Sequence, residues 1–468
     1  MNQTQANMFS EMQEKKIFEE ALQYAFQYID EVYDRNIYPS EEALADLTHF
    51  EESLPQKSGN ASEVLKQLHT YGAPATMAQI GGRYHGFVNG SSVPVGQAAK
   101  MLGTFWDQNT AMHVISPIVS KLEAVVEGWL KELFNLPQNT VAGFVSGTSM
   151  ANLCGLAAAR YRILQKQGWD INEQGLHSAP PIRIVTGKHA HSTVLKAISI
   201  LGLGKQNIEW VEVDEQGRMI AEKMPELDAH TILILQAGNV NSGSFDPLEA
   251  ACKKAQSADA WVHIDGAFGL WAVAVEKLGH LTQGMNLATS WAVDGHKTLN
   301  TPYDSGIVIC ADKEALVSAL HMTAGYIILS EERDGMFYTP EMSRRARIIE
   351  LWAVMRYLGK AGIDEMVYGM YERAQQFAEG LSQIEGFEVL NEVVFNQVMI
   401  ACENDAMTDA VIAKVQEMRE CWVGGSSWNG KRIIRISVCS WATTEEDVDR
   451  SVKSFAAALE QLKSNNVG

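Results

Sequence analysis

The sequence predicts an α/β protein in which a large domain on a mostly parallel sheet is followed by a smaller α+β domain. Three observations carry that expectation. Short β-branched runs alternate with helical stretches from about residue 140 to 320, and long helices with a few strands follow beyond about 325. The 468 residues are also enough for about three domains, or for one large and one or two small. A chain of this length buries roughly three quarters of the surface its unfolded form exposes, so it can hold a core without staples.

Residues 1 to about 60 read as helical, because Phe18, Leu22, Ala25, Ile29 and Val32 recur at helical spacing, with Phe26 and Tyr33 widening the stripe. Such a segment packs either on a partner subunit or on its own domain. Residues 57–97 are loop-rich, with Gly81, Gly82, Gly86, Gly90 and Pro94. A long helix is expected over about 117–135. Strands are expected at 182–186, 209–213, 231–235, 261–264 and 306–309, with helices at 150–166, 191–202, 247–258 and 313–320. That alternation describes a parallel sheet covered on both faces. Beyond it come helices over 344–358 and 362–384, strands near 386–392, 397–402 and 433–439, and a last helix near 444–463. The expected units are an N-terminal helical segment (1–60), a large α/β domain (61–325) and a small C-terminal α+β domain (326–468).

Composition narrows the function. Hydrophobic residues at 46% and charged residues at 20% exclude wholesale disorder. The net charge of −19 argues against a nucleic-acid backbone or an anionic membrane surface as a general partner. No window approaches the roughly 18 uninterrupted apolar residues of a membrane span. Cys154, Cys252, Cys310, Cys402, Cys421 and Cys439 lie far apart with no CxxC, and residues 1–5 do not open a secretion signal. The expectation is a cytoplasmic protein with reduced thiols.

The chemistry concentrates in four stretches. In the first, His263-Ile264-Asp265-Gly266-Ala267 ends an apolar strand on a carboxylate, and Asp294-Gly295-His296-Lys297 ends another apolar stretch on an ammonium. Buried charges are costly unless something meets them, so the pair is either a structural ion pair or a working one. Pyridoxal phosphate needs a lysine for its imine and an acid to keep its ring nitrogen protonated. In the second stretch, Gly147-Thr148-Ser149-Met150-Ala151-Asn152 leads from a strand into a helix, whose free N–H groups can bind phosphate. In the third, Lys188-His189-Ala190-His191-Ser192 offers a histidine that can lie over an aromatic cofactor, and the residues alone do not choose between His189 and His191. In the fourth, residues 236–247 form a small polar loop through which a backbone can approach a ligand. All four fall at one edge of the same sheet, where open α/β folds bind ligands. No HExxH motif, Cys/His cluster or GxSxG elbow points to a metal or a serine nucleophile.

In order and spacing, these stretches resemble the group II pyridoxal-phosphate-dependent amino-acid decarboxylases. The likeness runs from about residue 60 to 455 and takes in Arg83–Gly90, Ser116-Pro117, Val213-Asp214-Glu215, Ser244–Pro247, Arg344–Arg347 and Arg435-Ile436-Ser437. It implies the aspartate-aminotransferase-like fold type I with a seven-stranded sheet, pyridoxal 5′-phosphate as cofactor, and a homodimer with active sites at the subunit interface. It implies that Lys297 forms the imine, that Asp265 meets the ring nitrogen and that His191 stacks on the ring. Thr148, Ser149, Asp294 and His296 match positions around the phosphate, and Asn241 and Ala267 positions lining the ring.

Two departures stand out. Thr298 and Gly295 replace an aromatic and a proline found in many members. The catalytic loop, about residues 327–338, carries a tyrosine only at Tyr338, while the family's tyrosine falls nearer Asp334 or Gly335. Tyr338 is therefore either the catalytic proton donor or a structural aromatic, and the neighbouring Phe337 leaves an aldehyde-forming oxidative outcome open. The expected reaction is decarboxylation of an L-amino acid to its amine. The alternatives are that aldehyde-forming variant, or a transaminase or lyase in which Arg435 holds the α-carboxylate. Phe87, Trp106 and Tyr84 would suit an aromatic substrate, and Arg83 and His85 an acidic one.

Overall fold

A computed structural model describes residues 1–321 and 331–465 of the chain. Its main sheet has seven strands: β1 (Val141–Val145), β2 (Arg183–Gly187), β3 (Ile208–Val211), β4 (Thr231–Gln236), β5 (Trp261–Asp265), β6 (Ser290–Asp294) and β7 (Gly306–Cys310), in the order β1-β7-β6-β5-β4-β2-β3. From β6 to β3 all pairs are parallel, and β7 runs antiparallel to both its neighbours. The fold class expected from the β/α alternation is the one observed.

The strands read as continuous apolar runs because both faces are covered. Along β4, Leu233 and Leu235 point into one core and Ile232 and Ile234 into the other. Helix Thr148–Lys166 fills the second core with small residues such as Ala151, Ala158 and Ala159. Helices Pro117–Leu133 and Leu248–Ser257 close the first.

The second sheet is antiparallel and smaller: β8 (Glu388–Val389), β9 (Gln397–Ala401), β10 (Gly424–Trp428) and β11 (Lys431–Ser437), in the order β10-β11-β9-β8. The sequence reading missed β10, whose Gly-Gly-Ser-Ser start has no β-branched residue. Its signal was the turn, since Asn429 and Gly430 both take positive φ (48° and 83°), as a two-residue hairpin demands. The two helices expected over 344–384 form one run, Ile348–Ser382, broken at Gly359, where φ is 57° and ψ −171°. Residues 344–347 lie outside it. At the other end, helix Gln3–Glu14 buries none of its residues and Lys16–Val32 buries only Val32. Among the described residues, no helix is long and apolar enough to cross a membrane.

Candidate active site

The C-terminal ends of β4, β5 and β6 deliver Gln236, Asp265 and Asp294 to one edge of the sheet. The turn after β2 brings His191 there, and the turn after β6 brings Lys297. These elements surround a cavity of about 410 Å3 whose walls include His191, Gln236, Asp265, Ala267, Phe268 and Lys297. Phe87 and Val88, from the loop before helix Pro94–Trp106, close one side of it. Arg435 enters from β11 of the second sheet, so the cavity draws on both sheets.

Burial sets the electrostatics. Loss of solvent pushes the Asp265 carboxyl above its ordinary range, against the pull of His191, Lys297, the Asn152 amide and the Ala267 N–H at 3.3 Å. Desolvation also lowers His191 below its ordinary value, opposed by Asp265. His191 caps helix Ser192–Ile200: its Nδ1 accepts from the Thr193 N–H at 3.3 Å and lies 2.8 Å from Thr193 Oγ1. An N–H only donates, so neutral His191 carries its proton on Nε2. Desolvation lowers the pKa of Arg435, whose guanidinium donates to the Val240 carbonyl at 3.2 Å and has no carboxylate within ion-pair distance among the described residues.

Asp294 ties the lysine turn to the start of helix Thr148–Lys166. Its Oδ1 accepts from the Thr148 N–H at 2.6 Å, while its Oδ2 lies 3.2 Å from Lys297 Nζ and 3.5 Å from His296 Nε2. The Ser305 N–H fixes His296 through Nδ1 at 3.1 Å, and the His296 ring stacks on Tyr303 at 4.3 Å. Helix Thr148–Lys166 has no side-chain cap, and Thr148 Oγ1 is buried without a partner.

The Pyridoxal-dependent decarboxylase conserved domain matches this chain over residues 45–402. The chain belongs to this family. An aromatic-L-amino-acid decarboxylase of Bacillus atrophaeus is 26% identical over 473 residues, covering 95% of this chain and 96% of that one. An aspartate 1-decarboxylase of Aliivibrio fischeri is 29% identical over 270 residues, covering 54% of this chain and 49% of its own length, so the match spans about half of that relative. An Oryza sativa TDC crystallised with PLP and tryptamine superposes with a TM-score of 0.87 at 19% identity, over 96% of this chain and 98% of that one. That likeness establishes the fold, which is that of the pyridoxal-dependent decarboxylases.

The cofactor of this family is pyridoxal 5′-phosphate, and the residues present fit it. The helix start, whose Gly147 cap brings no side chain of its own, and the orphaned Thr148 hydroxyl suit a phosphate. A lysine and a buried aspartate on one cavity suit the aldehyde and the ring nitrogen.

Of the residues expected at the site, His191, Asp265, Ala267 and Lys297 line the cavity. Thr148, Asp294 and His296 stand behind Lys297 through the Asp294 contacts, with Ser149 exposed beside Thr148. Asn241 sits next to the wall residue Val240 and keeps a buried, unpartnered Oδ1. His189 is turned instead toward Trp428, its ring 4.6 Å away. Part of the expected catalytic loop, residues 327–330, lies outside the described residues.

Tyr338 packs in the core on the far side of β1, its ring 4.0 Å from the Arg333 guanidinium, and does not line the cavity. Arg333 is itself held there by Glu123 and Glu127. Two participants had no assigned role in the sequence reading: Gln236, at the end of β4, and Asn152, a fully buried amide on an otherwise apolar helix face.

Proposed function

We propose that this chain removes the α-carboxylate of an L-amino acid as carbon dioxide and releases the corresponding amine. The convergence of Lys297 and Asp265 on one cavity of a chain of this family carries the reading. Lys297 Nζ, kept in place by Asp294, is the amine that would hold the cofactor as an imine. Asp265 would meet the ring nitrogen and hold its proton, and the raised pKa of this buried carboxyl is what a cationic partner would reverse. When bound, pyridoxal phosphate accepts the electron pair left on the α-carbon as the carboxylate departs.

The chain's remaining task is orientation. Arg435 is the cation on the cavity wall available to bind the substrate. His191, with its proton on Nε2, provides a hydrogen-bond donor over the site. Val88 and Phe268 are buried apolar walls that exclude water from a carboxylate about to lose its charge. The working form is a homodimer, supported by the apolar face of helix Pro94–Trp106, where Met101, Leu102, Phe105 and Trp106 are exposed.

The test is a screen of the proteinogenic amino acids with the cofactor-loaded protein, alongside Lys297→Ala. Carbon dioxide and amine in equal amounts are expected, with Lys297→Ala losing both turnover and the borohydride-reducible visible band. Release of an aldehyde with ammonia and peroxide would overturn the reading, as would a Lys297→Ala variant that keeps the band.

A further inference from the structure

A chain of buried hydrogen bonds runs behind the cavity. The Trp261 indole N–H donates to Ser290 Oγ at 2.9 Å, Ser290 Oγ lies 2.8 Å from His263 Nδ1, and His263 Nε2 lies 2.9 Å from Asn152 Oδ1. Every member is buried, and His263, Ser290 and Asn152 are wholly inaccessible to solvent. The direction of each bond follows from the two ends of the chain. The Trp261 indole N–H only donates and the Asp265 carboxylate only accepts, so the Asn152 amide turns its N–H to Asp265 and its Oδ1 to His263 Nε2, and Ser290, accepting from Trp261, gives its proton to His263 Nδ1. Neutral His263 therefore carries its own proton on Nε2 and donates it to Asn152 Oδ1. Burial, which pushes the His263 pKa down to about 3, keeps that ring neutral across the working range. The ring fits because residue 155 is glycine: a Cβ there would stand 2.6 Å from His263 Cε1.

With its oxygen committed to His263, the Asn152 amide has one orientation and two N–H donors to place. One meets the Asp265 carboxylate, and Nδ2 also reaches Thr193 Oγ1 at 3.5 Å, the hydroxyl that contacts His191 Nδ1. We propose that Asn152 is a positioning residue for the cofactor. Held in one orientation by Trp261, Ser290 and His263, it aims Asp265 from one N–H and steadies the Thr193–His191 pair from the other. The proposal rests on the reading of Asp265 as the ring-nitrogen partner.

Asn152→Asp keeps the shape and removes both donors, and Asn152→Leu removes all polarity. In either variant the cofactor's dissociation constant should rise by about ten- to a hundred-fold, the size expected for losing a partner that orients a ligating group. The pH midpoint of the bound cofactor's visible absorption should move, and kcat should fall with KM little changed. In the wild-type holoenzyme, nitrogen NMR of labelled histidine should show the His263 proton on Nε2, and Asn152→Leu, which removes the acceptor at Nε2, should give a mixture of tautomers. A His263 proton on Nδ1 would overturn the inference. So would variants at position 152 that keep wild-type affinity and absorption while Asp265→Asn alters both. If Asp265→Asn alters neither, it is the reading of Asp265 that fails. The unfolding temperature of each apo variant separates these effects from a loss of fold.

Discussion

Among individual residues, the two that stood out earliest were charges closing apolar strands. Asp265 and Lys297 were legible because a buried charge on a β-branched run has no cheap explanation. Arg435 was harder to assign, since it reaches the same cavity from a second sheet more than a hundred residues later, and no periodicity connects the two. Asn152 was silent for a different reason: one amide on an Ala-rich helix face means nothing until His263 and Asp265 are found against it. The free guanidinium leads to a prediction. Replacing Arg435 by Gln removes a charged hydrogen-bond donor from the substrate's carboxylate, and loss of such a bond costs about 2 to 3 kcal/mol. Steady-state kinetics should show kcat/KM down by roughly thirty- to a hundred-and-sixty-fold, chiefly through KM, with cofactor affinity unchanged. A variant whose KM stays at the wild-type value would remove Arg435 from the substrate's contacts.

The elements of the main sheet were readable because each buried strand is a short apolar run, and each is bounded by a turn. The misses came where local pattern and tertiary context part company. β10 is an edge strand with two glycines, identified only by the Asn429-Gly430 turn that pairs it with β11. The break in the long helix was legible, since it falls at Gly359, between the two expected helices and at a residue that takes a positive φ of 57°. Helix Pro94–Trp106 shows the converse, an element whose exposed side is as apolar as its buried one. Met101, Leu102, Phe105 and Trp106 face outward, joined by Val114, Ile115 and Ile118 just beyond, and Phe18 meets Phe105 edge-on at 5.1 Å. Exposed apolar surface of this extent is covered by a second copy in the dimer proposed here. Sedimentation should give the wild-type chain twice its single-chain mass. Phe105→Glu, which puts a charge into the covered face, should shift it to the monomer and lower activity with it. A wild-type chain that sediments as a monomer while fully active would end that proposal.

Over the molecule as a whole, burial of titratable groups makes stability depend on pH, and the sign comes from counting protons. His85 and His263 are fully buried and driven down to about 3 by desolvation, against about 6.5 when unfolded. Between those values the unfolded chain binds protons that the folded chain refuses, so stability is present above 6.5 and is lost as pH falls toward 3. His191 and His296 are lowered for the same reason and act in the same direction. Asp265 and Asp246 act oppositely. The Asp246 carboxyl, raised to about 6 although the Met219 and Gln236 N–H groups donate to it at 2.7 Å each, costs stability as pH rises from 4 through 6. Each group contributes up to about 1.4 kcal/mol per pH unit, and with His189 also lowered by burial, five histidines outweigh two carboxylates. Denaturant unfolding of the apo chain should therefore show stability climbing from pH 4.5 to 6.5. His85 packs edge-on against Phe377 and makes one long contact to Ser451 at 3.4 Å, so His85→Phe should keep the packing and lose one titrating group. Its slope over that window should be shallower by about 1.4 kcal/mol per pH unit at most. A slope identical to wild type would mean that His85 does not titrate on unfolding, and a stability that falls as pH rises through the window would mean that the buried carboxylates prevail.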